Sequence, residues 1–303
     1  VSLAPRAVLV HRTTEYEELL ARHGTHGQAA FFLSSRGRDI DEVAGRHRLA
    51  RHALTDVAAA VPLRWRSARV ERADLDRFLF APEDVVIVVG QDGLVANAAK
   101  YLAGQPVVGI DTEPGRNPGV LVRHRPADAA KLLPHAAAGA AGAEELTMAE
   151  AITDDGQRLR ALNEIYVGAA GHQTARYRIG CGAGPGTPGS SETQASSGVV
   201  VGTGAGATGW LGSLRRQSGG DGPPPPEPDE GRLLWFVREA WPSPATGTSL
   251  VRGELTRDQR LWLTVESDRL VAFGDGMEAD ALGLGWGQSV RVGVADVALR
   301  LVG

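Results

Sequence analysis

The chain has 303 residues, 43% of them hydrophobic and 22% charged, and a formal net charge of −4 at pH 7. That is the balance of a globular protein, and its weak acidity excludes a sequence-independent nucleic-acid binder, which needs a basic surface. The 39 glycines against 5% aromatic residues suit α/β layers and tight turns rather than a stacking platform for bases. Cys181 is the one cysteine, so no internal disulfide can form, and no zinc-ligand spacing occurs. The start is not that of a signal peptide, and no apolar run reaches about 18 residues. The expectation is a cytoplasmic protein with neither a membrane nor a nucleic-acid partner.

In chain order, RAVLVH at 6–11 reads as a buried strand. Thr14 and Glu17 form a capping box that opens a short helix, and Gly24 stops it. Residues 39–60 carry Ile40, Val43, Ala50, Leu54 and Val57 at helical spacing, and Pro62 ends them. Residues 67–71 read as a second strand. DVVIVVG at 84–90 is β-branched without alternation, the pattern of a central parallel strand covered on both faces. Residues 94–103 read as helix and PVVGI at 106–110 as another buried strand. Strands alternating with helices predict a parallel sheet with helices on both sides.

The composition changes after about residue 134. HAAAGAAGA at 135–143 is low-complexity, a fraying helix or a linker. Short β-like runs follow at 176–179, 198–201, 233–238, 261–265, 270–273, 289–294 and 297–302, with turn residues between them. GGDGPPPPEPDE at 219–230 reads as a surface excursion, polyproline or disordered. The expected fold is therefore an α/β N-terminal domain with a parallel sheet over residues 1–134. A β-rich, sandwich-like C-terminal domain over residues 135–303 carries the Pro-rich insertion.

Four constellations bear on chemistry. Gly90-Gln91-Asp92-Gly93 follows the buried strand and precedes a helix, where backbone N–H groups attract phosphate and glycines let it come close. The plain alternative is an Asp-Gly turn joining strand to helix. Asn163-Glu164 pairs an amide with a carboxylate, which suits sugar hydroxyls and base edges, or is a solvated pair at a strand start. Gly202 to Gly209 contains a G-x-G-x-x-G spacing at Gly204, Gly206 and Gly209, but a Pro-rich segment follows instead of a second parallel strand. The Rossmann reading fails there, leaving a Gly-rich ligand loop on another fold or a plain hairpin. Asp275-Gly276 reads by itself as a hairpin turn and nothing more. His47 and His52 are five apart on a helix and do not face one metal.

In this order the four elements resemble the NAD kinase family, whose GGDGT, NE, T-P-T-G-S-T-A-Y and late DG motifs they partly match. Over residues 80–303 the matches are Gly90 to Gly93, Gly109-Ile110-Asp111, Asn163-Glu164, Gly198 through Thr203 to Trp210, and Asp275-Gly276. The resemblance implies ATP-dependent phosphoryl transfer to a hydroxyl of NAD, giving NADP, in a cleft between two domains of a homo-oligomer. It implies Asp92 as the general base, with Gly90 and Gly93 beside the donor's phosphates. Asn163 and Glu164 would hold the acceptor, and Thr203, Gly206 and Thr208 would line its pocket. A divalent ion, Mg2+, would ride on the ATP phosphates, and no metal ligand is assigned to the protein itself. The departures are Gln91 for glycine, Leu94 for threonine, Ser197 for aspartate, and Gly204, Ala205, Ala207 and Trp210 in the threonine-rich element. The segment expected to fold back after the last strand has no counterpart before Gly303. These changes keep two alternatives open: a kinase of another hydroxyl compound, a sugar or nucleoside, or a non-catalytic dinucleotide binder.

Overall fold

The computed structural model describes residues 4–116, 119–139, 142–182, 191–220 and 223–303. Residues 140 and 141 of the Ala-Gly run and 221 and 222 of the Pro-rich segment lie outside the described residues. The chain forms two compact units, one of residues 1–144 with Arg300–Gly303 and one of Glu145–Leu299.

The first unit is built on strands β1 (Arg6–His11), β2 (Arg66–Glu71), β3 (Asp84–Gly90), β4 (Pro106–Asp111) and β5 (Ala143–Leu146), joined at the end of the chain by β18 (Leu299–Val302). Their order is β2-β1-β3-β4-β18-β5, with β1, β2, β3, β4 and β18 paired in parallel. The helices are α1 (Glu15–His23), α2 (His26–Ser34), α3 (Ile40–Ala60), α4 (Asp92–Ala99) and α5 (Ala129–Ala137). The Thr14–Glu17 capping box forms, Gly24 ends α1 at φ 82°, and Asp39 caps α3. Ala53, Leu54 and Val57 of α3 and Leu133 and Ala136 of α5 pack on Leu9, Ile87 and Ile110. Residues Leu94 to Ala99 of α4 are all buried, against β1, β3 and β4. Two covered faces explain the unbroken apolar run of β3.

The first unit runs on to Glu144, with α5 packed in its core and β5 at the edge of its sheet. The last strand departs from expectation. Instead of completing the β-rich region, it returns to β4, with Arg300 opposite Pro106 and Leu301 opposite Val107. The chain's own end thus supplies a returning segment.

The second unit holds β6 (Ala149–Thr153), β7 (Arg158–Ala161), β8 (Glu164–Gly168), β9 (Ala175–Gly182), β10 (Ser191–Ser196), β11 (Val199–Gly202), β12 (Arg232–Val237), β13 (Arg252–Thr256), β14 (Arg260–Val265), β15 (Arg269–Gly274), β16 (Met277–Gly285) and β17 (Ser289–Val294). They form two antiparallel sheets, β10-β9-β14-β17-β6-β7 and β13-β12-β11-β8-β15-β16. Alternate residues such as Tyr177, Ile179, Leu261 and Leu263 of one sheet meet Ile165, Val167, Val201 and Trp235 of the other in a single core. Helix α6 (Trp210–Gln217) covers the outer face of the second sheet, where Leu211 and Leu214 pack on Tyr166, Val200, Leu234 and Phe236. β8, β11 and β12 are therefore apolar on both faces despite being antiparallel.

The Pro-rich segment lies at the surface, as expected, but its described residues are tied to the rest of the unit. Pro226 is buried, Thr147 N–H donates to Pro228 O at 2.8 Å, and Arg232 Nη1 donates to Pro224 O at 3.2 Å. A Cβ on Gly204 would stand 2.2 Å from Glu227 O and 2.5 Å from Pro226 O. Five prolines remove N–H groups that would otherwise need partners, so the segment lies flat against the glycine-rich loop.

Candidate functional site

Each unit carries a part of the predicted site. On the first, β3 delivers Gly90 to its carboxyl end and Asp92 begins α4. Strand order reverses between β1 and β3, the place where open parallel sheets bind ligands. Gln91 sits at the N-cap and makes no side-chain cap, so the helix start keeps backbone donors free of a capping side chain. A Cβ on Gly90 would meet Leu94 Cδ2 at 3.0 Å, which gives this glycine a packing reason. Gly93 has none: it is exposed, and a Cβ there would meet nothing within 4 Å.

Asp92 is half-buried and already occupied. Its carboxylate accepts the backbone N–H groups of Val120 at 3.0 Å, Leu121 at 2.8 Å and Val122 at 2.9 Å. The chain beyond these residues runs back along β4, His124 O accepting from Asp111 N–H at 2.8 Å and Gly109 O from His124 N–H at 3.1 Å. It lies so close that a Cβ on Gly109 would stand 2.1 Å from Leu121 O. Asp92 and Gly109 together fix this loop at the mouth of the sheet. Asp111 caps its own turn through Glu113 N–H at 2.8 Å. Asp84 lies at the opposite end of β3, paired with Arg6 at 2.6 Å.

On the second unit Asn163 and Glu164 open β8. Their backbone is held from two sides. Asp275, between β15 and β16, accepts from Leu162 N–H at 2.7 Å, Asn163 N–H at 2.7 Å and Glu164 N–H at 3.3 Å. It does so from a left-handed conformation, φ 53°, followed by Gly276 at φ 66°, the pair of positive angles a tight hairpin requires. From the other side Thr203 donates its backbone N–H to Asn163 O at 2.9 Å and its hydroxyl to Leu162 O. Gly206 presses on the same residue, for a Cβ there would lie 2.4 Å from Asn163 O.

The side chains in this frame are left over. Neither the Asn163 carboxamide nor the Glu164 carboxyl has a hydrogen-bond or ion-pair partner among the described residues. Burial, and secondarily the Asp275 charge, pushes the Glu164 carboxyl from its ordinary 4.5 up to about 7. Near neutral pH this group can hold or release a proton.

Thr203 does not line a pocket directly. It is fully buried with its hydroxyl spent on Leu162, and Gly206 is buried too, so both position Asn163 instead. Thr208 is exposed. Trp210 stacks on Tyr166 at 5.7 Å and lies under Arg238 at 5.3 Å, so its ring is engaged within its own unit. The G-x-G-x-x-G spacing is not a dinucleotide fingerprint, since β11 is antiparallel to both β8 and β12. The holding role of Asp275 is what sequence reasoning missed. Its Asp-Gly pair signalled the turn, but nothing local signals a bond to amides 111 to 113 positions away. Among the described residues no group of three or more His, Cys, Asp or Glu side chains could hold a metal ion. No helix among them is long and apolar enough to cross a membrane.

No family model matches the chain, and a search of curated proteins gives no match. Solved structures do match. One is the crystal structure of yeast NADH kinase complexed with NADH, at 15% sequence identity and a TM-score of 0.59, over 99% of this chain and 84% of that one. At that identity the likeness speaks for the fold alone: the chain has the NAD kinase-like fold, an α/β region with a parallel sheet and a β-rich antiparallel region.

Proposed function

We propose that the protein is a phosphotransferase that uses ATP to phosphorylate a hydroxyl of NAD or a close dinucleotide relative. The observation that carries this reading is the Asn163–Glu164 pair, whose backbone is pinned by Asp275, Thr203 and Gly206 while both side chains stay free. Pre-organised, uncommitted polar groups of this kind suit a ligand's hydroxyls and ring nitrogens. The bare helix start at Gln91–Gly93, with a glycine that packing does not require, supports a phosphate beside it.

In the reaction the acceptor oxygen attacks the γ-phosphorus, the bond to the β-phosphate oxygen breaks, and the hydroxyl proton passes to a carboxylate. Asp92 is assigned that proton, with one acceptor position left after its three backbone bonds. The donor set fits an ion carried on the nucleotide rather than in a protein cage, since Mg2+ is commonly held by phosphates, waters and one or two carboxylates. Such an ion supplies charge neutralisation on the phosphates, and the chain's own residues supply the positioning phosphoryl transfer mainly requires.

The test is an NADP-forming assay with purified protein, NAD, ATP and Mg2+, beside Asp92→Asn. NADP that the variant makes at less than about a hundredth of the rate supports the assignment, since general-base catalysis is worth about 10²–10⁴-fold. An equally active variant refutes the role of Asp92. A second reading, transfer to another hydroxyl compound, draws on Trp210, whose ring is engaged by Tyr166 and Arg238. It predicts ATP consumption with a sugar or nucleoside acceptor and none with NAD. Tight NAD binding without turnover of any acceptor would mark a binding protein.

A further inference from the structure

Several arginines in the second unit answer a carboxylate: Arg232 pairs with Glu230 and Glu254, and Arg158 and Arg160 pair with Glu150. Arg215 and Arg216, in the last turn of α6, do not. Neither has an ion-pair partner among the described residues, and the Nε of Arg215 is fully buried without any hydrogen-bond partner. Both guanidinium-bearing side chains line one cavity of about 140 Å³, with Ala207, Gly212 and Pro225 among its other walls. Gly212 lets α6 approach the loop, for a Cβ there would stand 2.3 Å from Ala207 O, and Arg216 Nη1 lies 3.7 Å from that position.

Two like charges sharing a partly enclosed cavity repel each other, and a buried N–H donor without a partner is rare in folded proteins. An anion answers both. We propose that this cavity is a binding site for a tetrahedral oxyanion, inorganic phosphate or the phosphoryl group of a small molecule, clamped by Arg215 and Arg216. Planar guanidinium forks match that geometry and bind phosphate through paired N–H donors. The cavity is well below the roughly 300 Å³ at which drug-sized pockets begin, so it takes the ion or one phosphoryl group and not a nucleotide body. Its walls are also structural parts of the glycine-rich loop: Ala207 belongs to the turn that presses Gly206 on Asn163, and Pro225 to the segment that covers Gly204. An occupant would brace that loop from behind.

The site stands apart from the proposed reaction, and its test reads no turnover. The full-length protein, labelled with 15N-arginine, is titrated with inorganic phosphate while the Arg215 Nε–H resonance is followed, at constant ionic strength set by chloride. The expected result is a saturable shift whose apparent affinity Arg216→Gln weakens at least tenfold; in Arg215→Lys, which lacks that resonance, phosphate binding read by isothermal calorimetry is lost, with both variants melting as the parent does. Asp92→Asn leaves the shift unchanged. AMP reproducing the shift would identify a carried phosphoryl group, and phosphate acting alone would identify the free ion. An Nε–H resonance that does not move with millimolar phosphate, or phosphate binding that survives loss of both arginines, would overturn the proposal.

Discussion

Replacing Glu164 with glutamine should make the protein more stable at neutral and alkaline pH while weakening its proposed ligand site. The carboxyl is pushed from 4.5 to about 7 by burial and by the Asp275 charge. Below about pH 4.5 it is protonated in the folded and unfolded chains alike, and the substitution changes little. Between 4.5 and 7 the folded protein holds a proton the unfolded chain has released, so the parent loses stability as pH rises. Above 7 the loss is complete, at most roughly 3 kcal/mol from the size of the shift, and less to the extent that water reaches the half-buried group. Glutamine keeps the shape and never ionises, so its advantage should grow from nearly nothing at pH 4.5 to as much as about 3 kcal/mol at pH 8. Urea unfolding of both proteins at several pH values measures this difference directly. Parallel stability profiles would refute the argument and mean that Glu164 ionises as an exposed carboxylate does.

Two glycines separate what the fold needs from what a ligand needs. Gly206→Ala drives a Cβ to within 2.4 Å of Asn163 O, and since neither backbone can yield freely it should cost about 2–3 kcal/mol, read by urea unfolding, and raise the acceptor's KM. Gly93→Ala meets nothing within 4 Å and replaces glycine inside a helix, so it should stabilise by about 0.5–1 kcal/mol. If phosphate approaches Gly93, the same variant should nonetheless bind ATP less tightly by isothermal calorimetry; unchanged affinity would remove Gly93 from the donor site.

Most of the first unit was legible in the sequence because its rules are local, although α2, α5 and β5 were not singled out. A β-branched run covered on both faces cannot alternate, and a capping box such as Thr14 with Glu17 announces the helix it starts. The second unit was legible as β but not in its pairing. β6, β7, β10, β13 and β16 were not singled out: polar segments such as RLRA and RGELT lie at sheet edges, where charged residues weaken the alternation. Residues 297–302 read as one more strand of that region because a short apolar strand carries no mark of the sheet it will join. The ties of the Pro-rich segment were hidden for a related reason. Proline composition predicts a chain without internal hydrogen bonds, and that is also what packs flat against a glycine such as Gly204. At the site, residue types pointed to Asn163 and Glu164, while the holding roles of Thr203, Gly206 and Asp275 depend on contacts between distant segments.

The two units use one device twice. Asp92 and Asp275 each precede a glycine, and each carboxylate gathers the N–H groups of three successive residues, 120–122 and 162–164. A carboxylate offers about four acceptor positions, so three donors organise a loop and leave room for one more. In Asp275 this anchoring accounts for the aspartate, since the side chains it positions are those of its neighbours. In Asp92 the remaining position is the one the proposed transfer requires, so anchoring and proton acceptance need not compete. The consequence concerns how Asp92→Asn is read. Asparagine keeps one accepting oxygen and can still hold Leu121 and Val122 through it, but it turns an N–H donor toward Val120. Lost activity therefore supports a chemical role for Asp92 only if the 120–122 amides stay protected from hydrogen exchange. Activity lost together with that protection would assign the effect to the loop.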